Sequence, residues 1–122
     1  MAKKIPQSTQ HEFVKCDLEF QRVIEELQNL EPAELDKVEA SIEKIQKMTW
    51  DQIYKTSSKS KKRGLNWEPI EGQKTKSGKT IASIRVSDKF RARVCRDGVY
   101  MRFISFHPDH DSAYKEHGGE DP

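Results

Sequence analysis

Between Glu68 and Tyr114 the chain gathers the residue types that handle a phosphodiester. Arginine keeps its charge at any working pH and grips phosphate through a planar, bidentate fork. Arg85, Arg91, Arg93 and Arg102 lie within eighteen residues of one another, with Tyr100 among them. Held together, several guanidinium groups can position a phosphate and stabilise charge growing on its oxygens. Proton transfer needs other groups. Glu68 enters from an extended segment, and His107, His110 and Tyr114 follow the last apolar run. Histidine titrates near neutrality and serves as acid or base, while tyrosine can stack on a base or donate a proton.

These side chains must be presented by strands. Ile81–Val86, Phe90–Arg96 and Val99–Phe106 read as three short strands, and Asp97-Gly98 signals a tight hairpin of type I′. Side chains alternate faces along a strand. Parity puts Ala82, Ile84, Val86, Phe90, Ala92, Val94, Val99, Met101 and Phe103 on one apolar face. Arg85, Arg91, Arg93, Tyr100 and Arg102 fall on the other.

The apolar face needs a cover, and the first half of the chain supplies one. His11–Cys16 fits a short first strand, and its six residues fit an early helix as well. Asp17 is the expected N-cap of a helix to Asn29, with Phe20, Val23, Ile24, Leu27 and Leu30 on one stripe. Pro32 suits the first turn of a second helix through Lys47, striped by Leu35, Val38, Ile42 and Ile45. The short connection predicts an antiparallel helix hairpin packed on the sheet. Thr49-Trp50-Asp51-Gln52 has the form of a capping box for a third short helix to about Tyr54. Trp50 and Tyr54 are expected in packing.

The net charge of +2 conceals a segregation. Residues 12–53 sum to −6, residues 59–102 to +9, and the last twenty to −4. A basic sheet behind acidic helices fits a polyanionic partner, nucleic acid first, and fits equally well charges that are merely solvated. Lys61, Lys62 and Arg63 fall in a polar stretch expected to form a loop that touches phosphates, and a second polar loop is expected over Glu71–Lys79. His107-Pro108-Asp109-His110-Asp111 offers metal-binding residue types, but at no conventional spacing, so no metal or cofactor is expected. Cys16 and Cys95 match no metal or redox pattern and read as free thiols of a cytoplasmic protein. No apolar run is long enough to span a membrane.

The layout, a short strand, two helices and then antiparallel strands carrying IRVSDKFRARVCRDG (Ile84–Gly98), resembles the RelE/ParE toxin superfamily. The resemblance covers about residues 11–115. The exit HPDHDSAY (His107–Tyr114) is similar to that of a RelE-like subgroup ending in HDxAY, and Glu68-Pro69-Ile70 resembles the EPL segment of YoeB-like toxins. It implies an α+β, RelE-like fold: an N-terminal antiparallel helix hairpin on one face of a mainly antiparallel, twisted sheet. Residues 1–10 and 116–122 would be flexible flanks. It also implies a toxin of a type II toxin-antitoxin system, a metal-independent endoribonuclease that cuts mRNA, in related toxins on the ribosome, and is held by a cognate antitoxin. Glu68 would be the base, Arg85 and Arg91 the phosphate-stabilising pair, and His110 the acid, with Tyr114 as acid or stacking group. Arg93, Tyr100, Arg102, His107, Lys61, Lys62 and Arg63 would bind RNA. The alternative implied by the same superfamily is a non-catalytic module that binds DNA gyrase, an antitoxin or RNA without cutting it.

Overall fold

A computed structural model describes residues 9–57, 64–109 and 111–122. The described residues form an α+β domain with three α-helices and one five-stranded mixed sheet. The strands are β1 (Lys15–Asp17), β2 (Glu68–Lys74), β3 (Thr80–Arg85), β4 (Arg91–Asp97) and β5 (Tyr100–His107). Their spatial order is β1-β5-β4-β3-β2, with β1 parallel to β5 and every other pairing antiparallel. The helices are α1 (Gln21–Asn29), α2 (Pro32–Gln46) and α3 (Trp50–Thr56).

The expected apolar face is the core face. Ala82, Ile84, Phe90, Ala92, Val94, Met101 and Phe103 share one buried cluster with Val23, Val38 and Ile45 from α1 and α2, and with Trp50 and Ile53 from α3. Two capping boxes set helix starts: Glu31 with Glu34 for α2, and Thr49 with Gln52 for α3. Each satisfies amide groups that a helix start otherwise leaves unpaired. Among the described residues no helix is long and apolar enough to cross a membrane.

Four local expectations are corrected. Asp17 does not cap α1. It is the last residue of β1, its Oδ1 accepts the amide of Glu19, and α1 starts later with Phe20 at the N-cap. The hairpin turn is Gly98-Val99 instead of Asp97-Gly98, because Asp97 pairs with Tyr100 in the ladder. Only Gly98 takes positive φ (60°), which fits a II′ turn with glycine first. The stretch expected to begin a loop at Glu71 continues as β2 to Lys74, with a register break and a positive φ (79°) at Gly72. The last correction lies in β5. Arg93 pairs with Ser105 but Val94 pairs with Phe103, so Ile104 is an extra, bulged residue. Parity reverses there. Phe106 joins the core face, and Ser105 and His107 turn to the arginine face.

Since β1 covers only the start of β5, the far end of β5 is a sheet edge. Glu26 of α1 closes it by accepting the amide of Phe106 at 2.7 Å. An edge amide is thereby denied to any added strand.

Candidate functional site

Ladder partners share a face, so the register defines the second surface. Glu68 lies opposite Ser83, Arg85 opposite Arg91, and Arg91 opposite His107. Arg93 lies opposite Ser83 and Ser105, Cys95 opposite Ile81 and Arg102, and Asp97 opposite Tyr100. All the strand arginines named from parity are on this face. They do not form one site.

At one end of the face the structure collects Glu68, Arg85, Arg91 and Tyr114. The Tyr114 hydroxyl donates to Glu68 Oε2 at 3.3 Å, joining the start of β2 to the 3₁₀ turn Ser112–Lys115. Arg85 and Arg91 are cross-strand neighbours of like charge, a pairing that disfavours the sheet unless an anion lies nearby. Arg91 is buried, and its Nη1 donates to the carbonyls of Ser87, Asp88 and Phe90, which fixes the guanidinium against the β3–β4 turn. Its Nε is buried with no hydrogen-bond partner. Desolvation, and next the charge of Arg85, press its pKa below the ordinary arginine value, while Tyr114, Asp88 and Glu68 oppose the shift. A desolvated guanidinium beside a second cation is a strong attractor for an anion. Arg85, by contrast, is half-buried and makes no ion pair among the described residues.

His107 has a different place from the one expected. It ends β5, is buried, and uses both ring nitrogens: Nε2 lies 2.7 Å from Ser105 Oγ and Nδ1 lies 2.7 Å from Ser112 Oγ. Arg93 can only donate, so Ser105 Oγ accepts from it at 3.1 Å. The Ser112 hydroxyl beside Nδ1 also donates to the Asp109 carbonyl at 3.5 Å. Burial, the largest cause, and then Arg93 hold the imidazole pKa below 6.5, against Glu26 and Glu116. His107 is a neutral structural clip that seats the exit turn. The unfolded chain protonates it first as pH falls through about 6.5, so its share of stability is complete above that value and declines below it. A His107→Gln variant should therefore be less stable at pH 8. It should also lose the part of the thermal-stability decline below pH 6.5 that the wild type owes to this imidazole, read from melting temperatures across pH 5–8.

The middle of the face is covered. Residues 116–122, expected to be a flexible tail, lie against the sheet. Gly119 donates its amide to the Lys74 carbonyl and Lys76 donates to the Glu120 carbonyl. Glu120 takes a bidentate grip from Arg93, at 2.6 Å from Nη1 and 3.0 Å from Nη2. Arg93 Nε donates to Gln73, which donates in turn to the carbonyls of Ala113 and Glu116. Arg22 of α1 pairs with Glu26, Glu116 and Glu120. Beneath the strap Ile70, Ile81, Cys95 and Ile104 form a second small core. Arg93 is fully buried and occupied, so its expected contact with RNA is corrected.

The far end is acidic. Arg102 pairs with Asp97 at 3.0 Å, lies 3.5 Å from Asp17, and donates to the Pro122 carbonyl. Tyr100 and Arg102 line a hollow of about 340 Å³ with Asp17 and Glu19. Along β5, Arg102 stands five residues from His107, roughly 16 Å at strand rise. These two residues are therefore remote from Glu68 and face carboxylates. Their assignment to RNA is not supported by this geometry.

Lys61, Lys62, Arg63 and His110 lie outside the described residues. Gln73, Ser105, Ser112, Glu116 and Glu120 were not anticipated; the one sequence signal was the opposite charge of the tail and the sheet. Among the described residues no three His, Cys, Asp or Glu side chains are grouped to hold a metal ion. Both cysteines are free, with burial pushing the Cys16 thiol up to about 12 and the Cys95 thiol up to about 11. Neither is a ready nucleophile. In comparisons with known proteins, the chain matches no family model, no curated protein and no solved structure.

Proposed function

We propose that the chain is a RelE-like toxin that cleaves mRNA at the Glu68–Arg85–Arg91–Tyr114 end of the sheet. The observation that carries this reading is the cross-strand pair Arg85/Arg91, with Arg91 desolvated and its Nε unpartnered, and with a tyrosine-held carboxylate, Glu68, within electrostatic range of Arg91. In the reaction the substrate 2′-oxygen attacks the adjacent phosphorus and its proton passes to Glu68. Arg85 and Arg91 stabilise the crowded phosphate. The bond to the 5′-oxygen breaks, that oxygen takes a proton from His110, and a 2′,3′-cyclic phosphate remains. Tyr114 orients Glu68 through its hydroxyl. No step requires a metal, because two guanidinium groups, one of them fixed against the β3–β4 turn, supply the charge that phosphoryl chemistry needs. A cognate antitoxin would mask this end of the sheet.

The covered middle of the face favours a second reading. Glu116 and Glu120 hold arginines that a nuclease could otherwise use, as expected of a module that binds gyrase or an antitoxin without cutting RNA. Inducing the chain without a partner separates the two. Growth arrest with cuts inside translated mRNA, mapped by primer extension, is the expected result. Arrest with intact mRNA and accumulating gyrase–DNA breaks would establish the binding module instead.

A further inference from the structure

A groove of about 370 Å³ opens between α2 and the end of β3, lined by Lys37, Lys44 and Arg85 with Ala40, Ser41, Gly64, Leu65 and Val86. Lys37, Ser41 and Lys44 follow one another at helical spacing, so α2 turns one stripe into this wall. The walls are fixed. Ser41 Oγ donates to the Val86 carbonyl at 3.3 Å, and the Arg85 amide donates to the Leu65 carbonyl at 2.6 Å. Gly64 closes the floor at φ 62°, where a Cβ would lie 2.8 Å from the Thr56 carbonyl oxygen.

Charge is sorted in this groove. α2 carries Glu34, Asp36, Glu39 and Glu43, yet none of these carboxylates lines the groove. Two other hollows mix signs, one with Asp17 and Glu19 beside Arg102, the other with Glu34 and Asp88 beside Lys37 and Lys89. Lys37, Lys44 and Arg85 make no ion pair among the described residues. Arg85 belongs both to this groove and to the pair with Arg91.

We infer that the groove is a second phosphate site, in which Lys37 and Lys44 hold the backbone of the RNA strand beyond the nucleotide gripped by Arg85. This rests on the nuclease reading above and adds a path to it: the strand crosses the end of β3 at Arg85 and continues along α2. Lysines suit this task, since they neutralise phosphate as mobile point charges without fixing its orientation. They contribute affinity and salt dependence and do not enter the bond-breaking step.

The test uses the full chain and a 5′-fluorescent single-stranded RNA, with anisotropy titrations over a range of salt and single-turnover cleavage at saturating protein. A Lys37→Ala/Lys44→Ala variant, checked for an unchanged melting temperature, should bind about 10–30-fold more weakly near 0.1 M salt. Its salt slope should be shallower by about 1.4, roughly 0.7 for each lost single-strand contact. Its rate at saturation should stay within about twofold of wild type. Lys44→Glu should weaken binding in the same direction. If wild type binds and cuts RNA and the double variant binds it equally well with the same salt slope, the groove is not on the RNA path and the nuclease reading stands alone. If wild type neither binds nor cuts RNA, both fail together.

Discussion

Replacing Glu120 by alanine should destabilise the domain by about 3–5 kcal/mol, the loss that follows when one partner of a buried ion pair is removed. The reason is the state in which Arg93 would be left. Its side chain is wholly buried, and two of its four side-chain hydrogen-bond contacts go to the Glu120 carboxylate. Without Glu120 a full charge remains in the sheet with only Gln73 and Ser105 as partners. Glu120→Gln keeps the shape and one acceptor, so it should cost less. Acid offers an independent check. Hydrogen bonding from Arg93 holds the Glu120 carboxyl below its usual 4.5, and Arg22 does the same for Glu116. Folded-state values that are depressed add stability above the unfolded value of about 4.5, and this is lost as pH falls through the folded values. Urea midpoints between pH 7 and 3 should fall for wild type and fall less for Glu120→Gln. Equal stability of wild type and Glu120→Ala at pH 7 would mean that the strap is not part of the fold.

Arg85→Ala should lower the single-turnover rate of RNA cleavage by ~10²–10³, the size of losing one preorganised donor to a growing oxyanion. Arg85 makes no ion pair among the described residues, so its removal should change stability by no more than about 0.5 kcal/mol. Arg91→Ala should lower the rate as far, but it should not leave stability untouched. Its Nη1 bonds three carbonyls of the β3–β4 turn, and losing hydrogen bonds from a charged donor costs about 1.5–3 kcal/mol. Lysine should rescue either position poorly, since it retains the charge and loses the fork. An unchanged rate at saturation with weaker, less salt-dependent binding would make both arginines binding residues only.

The sequence carried the scaffold further than the site. β3, β4 and β5 fall within a residue of the periodic runs that announced them, because alternation of Ala82/Ile84 and Ala92/Val94 against arginine leaves one burial pattern available. Pro32 and Thr49 marked the starts of α2 and α3 through chemistry local to each turn. The bulge at Ile104 had no such mark. Phe103-Ile104-Ser105-Phe106 contains no glycine or proline, and its apolar spacing fits either parity. That single extra residue decides that His107 faces the arginines, where Ser105 and Ser112 hold it. The tail departs from its sequence pattern for a related reason. Glu-His-Gly-Gly-Glu-Asp-Pro has the composition of a fraying end. Its order comes from Arg93 and Arg22, 27 and 98 residues from Glu120. Gly118, at φ 81°, lets it pass where a Cβ would meet the Lys74 backbone at 2.8 Å. Long-range pairing of this kind leaves no trace in local pattern. Parity placed four arginines on one face correctly, but only the partners of each could divide a site from a salt-bridged strap.

A nuclease of this design needs Glu68 to work as a base on RNA. The direct measurement is cleavage of 5′-labelled mRNA on translating ribosomes by purified wild type and Glu68→Gln in parallel, with the product ends identified chemically. Controls on naked RNA with EDTA in the buffer would show whether the ribosome or a metal is needed. Wild type should cut the ribosome-bound message and leave 2′,3′-cyclic phosphate ends, while Glu68→Gln, which binds equally well, should cut at least ~10²-fold more slowly. Intact message with wild type, or equal cutting by Glu68→Gln, would contradict it.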